Sequence, residues 1–131
     1  MPLWLNEGLA QCLSKNAHAS YQRARGYLSK PYSNGIPAEK LFTLGALTTM
    51  HYPPAAQVET FYDQSERLVR FLVTADRAKF LELVQLLATG ESFETALSRT
   101  SSGAFPSLAA LEEKFRPYAT KDASTVALQD R

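Results

Sequence analysis

The stretch Val58-Glu59-Thr60-Phe61-Tyr62-Asp63-Gln64-Ser65-Glu66-Arg67-Leu68-Val69-Arg70-Phe71-Leu72 carries the strongest structural signal in the chain. Val58, Phe61, Tyr62, Ser65, Leu68, Val69 and Leu72 recur at i, i+3, i+4 and i+7, the spacing that gathers side chains on one face of an α-helix. Thr60, Asp63, Gln64, Glu66, Arg67 and Arg70 fall on the other side. Arg67, Arg70 and Arg77 alternate there with Asp63, Glu66 and Asp76, so the expectation is a solvated, charge-laced face and not an anion site.

Outward from this helix the same period continues. Asp76 is placed to start a following helix with Phe80, Leu83, Val84 and Leu87 inward, and Gly90 to stop it. Ser92 is a cap for a short helix carrying Phe93, Ala96 and Leu97. Thr100-Ser101-Ser102-Gly103 reads as a loop, and Ser107 as the cap of a last helix with Leu108, Leu111 and Phe115. On the N-terminal side, Pro37 suits the first turn of a short helix holding Leu41, Leu44 and Ala46. Tyr52-Pro53-Pro54 ends it, because a residue before proline avoids helical angles. Pro31-Tyr32-Ser33-Asn34-Gly35 is a turn, and Asn16 is placed to cap a helix reaching Leu28, with Tyr21, Ala24 and Leu28 on one face. No strand, repeat or low-complexity run stands out. The expectation is an all-α single domain of about five to six packed helices, spanning residues 1–118, with a flexible tail over 119–131.

Composition narrows the function classes. A chain of 131 residues is one domain on length. Lysine plus arginine total 14 against 13 acidic residues, a net charge of +1, so charge gives no ground for a nucleic-acid partner. Hydrophobic residues at 45% exclude a largely disordered chain. No apolar run reaches the ~18 residues of a membrane span. Cys12 is the lone cysteine, which excludes an internal disulfide and a cysteine-built zinc cage.

The opening residues are Met1-Pro2-Leu3-Trp4-Leu5-Asn6-Glu7-Gly8-Leu9-Ala10-Gln11-Cys12-Leu13-Ser14. Asn6 and Glu7 interrupt the apolar stretch that a signal peptide needs. On a helical wheel Leu5, Leu9, Cys12 and Leu13 share one face, and Leu3, Glu7, Ala10 and Ser14 another, with Trp4 beside Glu7. A helix apolar on two faces is buried between layers, which is how the middle of a domain reads. A carboxylate inside the second face needs a cation, a metal or a hydrogen-bond donor. Periodicity alone favours an arginine partner or open water for Glu7.

Pro2-Leu3-Trp4-Leu5-Asn6-Glu7-Gly8-Leu9-Ala10 resembles the W-L-N-E-G-x-A segment of the gluzincin metallopeptidases. The order of later segments resembles the peptidase MA-like branch in particular. These are Ile36-Pro37-Ala38-Glu39-Lys40-Leu41-Phe42, then Phe61 to Leu72, then Lys79 to Leu83, then Gly90 to Leu97, then Ser107 to Phe115. In that clan an H-E-x-x-H helix supplies two histidine ligands, and the glutamate of N-E-G is the third ligand of a catalytic zinc. The resemblance therefore implies that Glu7 is a zinc ligand framed by Asn6 and Gly8, and that the fold is the C-terminal helical part of a gluzincin domain. It also makes Tyr62 a candidate oxyanion donor by order along the chain, against its plainer reading as a core aromatic.

One departure from the family pattern bears on function. The histidines are His18 and His51, neither has a partner at i+4, and H-E-x-x-H is absent together with its general-base glutamate. Glu7, Cys12, His18 and His51 match no zinc spacing. Zinc is thus expected in a complete enzyme, and neither metal nor peptidase activity in this chain alone. Ser65 lacks a histidine nearby to activate it. Three readings follow: part of a peptidase MA-like zinc metallopeptidase; a non-catalytic helical module; or a longer enzyme in which Met1 is internal. Under the second, the Leu3/Trp4/Glu7 face meets a second copy or an N-terminal half carried elsewhere.

Overall fold

Six α-helices make up the regular structure of the described residues: α1 (Leu3–Ala24), α2 (Leu44–Thr49), α3 (Val58–Ala75), α4 (Arg77–Ala88), α5 (Phe93–Ser101) and α6 (Leu108–Thr120). Single 3₁₀ turns at Ala38–Lys40 and Ala55–Gln57 precede α2 and α3. This computed structural model describes residues 2–24, 35–101 and 104–120, with the side chains of 14–24 outside the description. The all-α expectation holds: among the described residues there is no strand, and one helical core runs through the elements.

Helix α3 is the hub. It packs on α1, α4 and α6, while α4 packs on α5 and α2 bridges α1 to α6. The inward residues Phe61, Ser65, Leu68, Val69 and Leu72 are buried, and Val58 and Tyr62 are half-buried. They meet Trp4 and Leu5 from α1, Leu44 and Leu47 from α2, Phe80, Leu83 and Leu87 from α4, and Leu111 and Phe115 from α6.

The punctuation follows local chemistry. Asp76 caps α4, its carboxylate accepting from Lys79 N–H at 3.1 Å. The helix closes at Gly90, whose φ of 99° lies in the region only glycine enters freely. Gly90 N–H donates to Leu87 O and Glu91 N–H to Leu86 O, which satisfies the last carbonyls. Ser92 Oγ accepts from Thr95 N–H at the start of α5, and Ser107 Oγ from Ala110 N–H at the start of α6.

Several expectations change. Helix α1 runs unbroken from Leu3 to Ala24, so residue 16 lies inside it and not at a helix start. An interior asparagine costs under about 1 kcal/mol, less than ending one helix and nucleating another. The Pro37 segment makes only a 3₁₀ turn, and α2 restarts at Leu44 behind its cap Thr43. Residues Ala119 and Thr120, expected to open a tail, belong to α6, and Ala119 is fully buried. Of the turn expected over Pro31 to Gly35, residues 31–34 lie outside the described residues, as does the segment 121–131.

The larger correction concerns the far side of α3. Gln64, Glu66 and Arg67 are buried, not solvated. Gln64 clamps both backbone polar groups of Phe42 in the extended Leu41–Thr43 linker. Its Oε1 accepts from Phe42 N–H and its Nε2 donates to Phe42 O, both at 2.9 Å. Arg67 Nη1 donates to Ala119 O at 2.9 Å, in the last turn of α6 where helix carbonyls lack intrahelical donors. The same oxygen accepts from Ile36 N–H at 3.0 Å. Glu66 pairs with Arg70 one turn along. Glu112 of α6 reaches across to accept from Leu44 N–H at 2.7 Å. Polar side chains of α3 and α6 thus hold the irregular segments that no helix ladder can satisfy.

Candidate functional site

The N-E-G segment sits where α1 crosses α3. A Cβ placed on Gly8 would lie 2.6 Å from Ser65 O and 2.7 Å from Val69 Cγ2, so the two backbones approach as only glycine permits. Opposite it, Ser65 is fully buried, and its Oγ has no hydrogen-bond partner. One turn earlier, Trp4 is 0% exposed and meets Phe93 edge-on at 5.3 Å between centroids. Its Nε1 is likewise buried without a partner.

Glu7, next to the crossing, is half-buried and makes no ion pair or hydrogen bond among the described residues. The arginine partner expected for it is therefore not found there. Tyr62 lies on α3 one turn before Ser65, half-buried, its ring 6.0 Å from that of Phe61. Glu7 and Tyr62 thus stand on two helices locked together at Gly8 and Ser65, with no hydrogen bond between them. Cys12 is half-buried farther along α1, and His51 is exposed in the bend after α2. The His18 side chain is outside the described residues.

Zinc chemistry needs three protein ligands and an open position. Among the described residues no three His, Cys, Asp or Glu side chains gather into a metal-holding group. The described donors therefore do not by themselves fit a zinc site, and Glu7 is at most one ligand of a site completed by residues beyond them. The Leu3/Trp4/Glu7 face is altered as well. With Trp4 in the core, its outward part is Leu3, Glu7 and Ala10.

Two features escaped the sequence. One is the buried polar seam of Gln64, Glu66 and Arg67, whose signal was Phe71. That aromatic stands at i+7 from Gln64 and i+4 from Arg67, and it packs on Phe105, Phe115 and Tyr118 at 5.2–6.0 Å. The other is a groove of about 400 Å³ between Leu9–Leu13 of α1, the second half of α3 and the first turns of α4, with Tyr118 of α6 at its edge. No sequence period announces it, since it depends on how three helices cross. Among the described residues no helix is long and apolar enough to cross a membrane.

Compared with known proteins, the chain matches no family model, no curated protein and no solved structure. Any functional reading rests on the residues and their geometry.

Proposed function

We propose that this chain is the helical C-terminal part of a peptidase MA-like gluzincin domain, a class whose complete members hydrolyse peptide bonds with zinc. The observation that carries the reading is the seat of the N-E-G segment. Gly8 is required by the backbone of α3, and the glutamate beside it is half-buried with no cation partner among the described residues. A structural glutamate at such a position would be expected to find a partner within its own chain. A metal ligand would instead be held on a rigid helix with its carboxylate available, and the fixed Gly8 crossing does that. In this reading two histidine ligands come from an H-E-x-x-H helix that this sequence does not contain.

The test is to read the coding frame upstream of the Met1 codon and to express whatever it encodes joined to this chain. An in-frame H-E-x-x-H is the expected result. The longer chain then carries zinc and cleaves peptides, and Glu7→Gln loses the metal. Tyr62→Phe keeps the metal and lowers kcat by about a hundredfold, the effect of one oxyanion donor. A stop codon with no such motif overturns the reading, and so does a longer chain whose zinc content survives Glu7→Ala. Self-association through Leu3, Trp4 and Glu7 is the weaker companion reading, because Trp4 already fills the chain's own core.

A further inference from the structure

Among the described residues, three large hydrophobic side chains are markedly exposed: Leu13, Tyr52 and Leu81. Two of them, Leu13 at 69% and Leu81 at 54%, line the same groove between α1, α3 and α4. Its other apolar walls include Leu9, Val73 and Phe80. The charged residues lining it are Arg70 and Arg77, and no acidic side chain lines it among the described residues. Arg70 is engaged by Glu66. Arg77 is exposed at the start of α4 and makes no ion pair among the described residues. Its neighbour Asp76 caps α4 and lines a separate cavity with Lys79.

We propose that this groove docks an amphipathic helix of a partner protein, with leucine-type residues at i, i+3 or i+4, and i+7 and a carboxylate set to meet Arg77. Helices α1, α3 and α4, with Tyr118 of α6, already form the trough, and a further helix laid along it covers both exposed leucines, as helix-in-groove recognition does. The charge pattern selects the occupant. A second copy using the same face would bring another Arg77 and no acidic side chain from the described lining, so it offers Arg77 no partner and adds like charge to the interface. A small amphiphilic carboxylate satisfies Arg77 but covers less of the exposed leucine rim than a helix does. The inference stands on the groove alone and does not depend on Glu7 or on zinc.

The experiment is selection of a displayed library of helical peptides on the full chain, with counter-selection on Leu81→Glu. Leu13, Leu81 and Arg77 are exposed, so thermal melts of the variants should match the parent and serve as the folding control. The expected result is enrichment of peptides with an acidic residue flanking an apolar i, i+3/i+4, i+7 stripe. Arg77→Glu should weaken them by about tenfold, and replacing the peptide's acid by lysine should restore binding to that variant. Failure to enrich any helix overturns the proposal, as do neutral or basic winners and winners indifferent to Leu81→Glu and Arg77→Glu. Saturable 1:1 binding of dodecanoate that is lost in Arg77→Glu, with no peptide enriched, would replace the helix by a small amphiphile. Concentration-dependent dimerisation abolished by Leu81→Glu would replace it by a second copy.

Discussion

Replacing Gly8 by alanine adds a single methyl group at the tightest place in the fold. In an exposed helix that change is favourable by about 1 kcal/mol, because alanine loses less backbone freedom than glycine. Here the added Cβ would lie 2.6 Å from Ser65 O and 2.9 Å from Ser65 C, where ordinary contact begins at 3.4 Å. Both obstacles are backbone atoms of α3, so no rotamer change relieves them. The helices must part by several tenths of an ångström, which loosens the packing of Trp4, Leu5, Leu68 and Val69 at once. Overpacking of this kind costs about 1–3 kcal/mol, and a backbone obstacle puts it at or beyond the upper end. Set against the propensity gain, the expected net loss is about 2 kcal/mol. At this chain length that lowers Tm by about 8 °C. Urea and thermal unfolding followed by far-UV circular dichroism measure it. Gly45→Ala is the matched control, since its nearest neighbour would be Leu108 Cδ2 at 3.9 Å. That variant should be neutral or slightly more stable. A Gly8→Ala protein as stable as the parent would refute the close crossing of α1 and α3, and with it the stated reason for glycine after Glu7.

Gln64→Leu removes both hydrogen bonds to the Phe42 backbone and should cost about 3 kcal/mol, read from the urea midpoint; an unchanged midpoint would mean that the linker is held by other contacts. Ser65→Ala deletes a buried hydroxyl that has no partner, so stability should stay level or rise by up to about 1 kcal/mol; a clear loss in calorimetry would show that the hydroxyl is bonded after all. Glu112→Ala should destabilise by about 1–2 kcal/mol, and Glu112→Gln, which keeps an acceptor for Leu44 N–H, should recover much of that. Gly90→Ala forces a side chain into a left-handed turn with φ of 99°, and thermal melting should fall by roughly 4 °C for each ~1 kcal/mol of strain.

The helices were legible because their boundaries are local. Asp76, Gly90, Ser92 and Ser107 each act within four residues of where they stand, so a sequence window contains the whole cause. Failures came where the cause lies far along the chain. Gln64 binds Phe42 22 residues away, and Arg67 binds Ala119 52 residues away. Period counting assigned both to water because it ranks residues by polarity and cannot see a distant carbonyl waiting for a donor. The wheel puts Trp4 beside Glu7 on a two-faced apolar helix, without saying what covers it. Its partner, Phe93, lies on α5, and nothing near residue 4 announces it. Glu7 itself was singled out by its motif, but what surrounds it depends on the crossing of α1 with α3.

The buried polar seam and the Gly8 crossing bear on each other. An apolar helix face tolerates small rotations, because one methyl contact replaces another at little cost. Gln64 and Arg67 do not tolerate them. Turning α3 by even part of a residue step would strip the clamp from Phe42 and the donor from Ala119, leaving polar groups unpaired away from solvent. Rotation about the α3 axis is therefore fixed from the side facing α6 and the 41–43 linker. With α3 fixed, Ser65 is presented to α1 at one angle. The fit of Gly8 against Ser65 then sets the rotation of α1, and so where Glu7 stands. A carboxylate meant to join ligands from another helix needs this kind of support, since a small error in its placement is enough to spoil a metal site. The same support would matter less to a glutamate with no task beyond facing water.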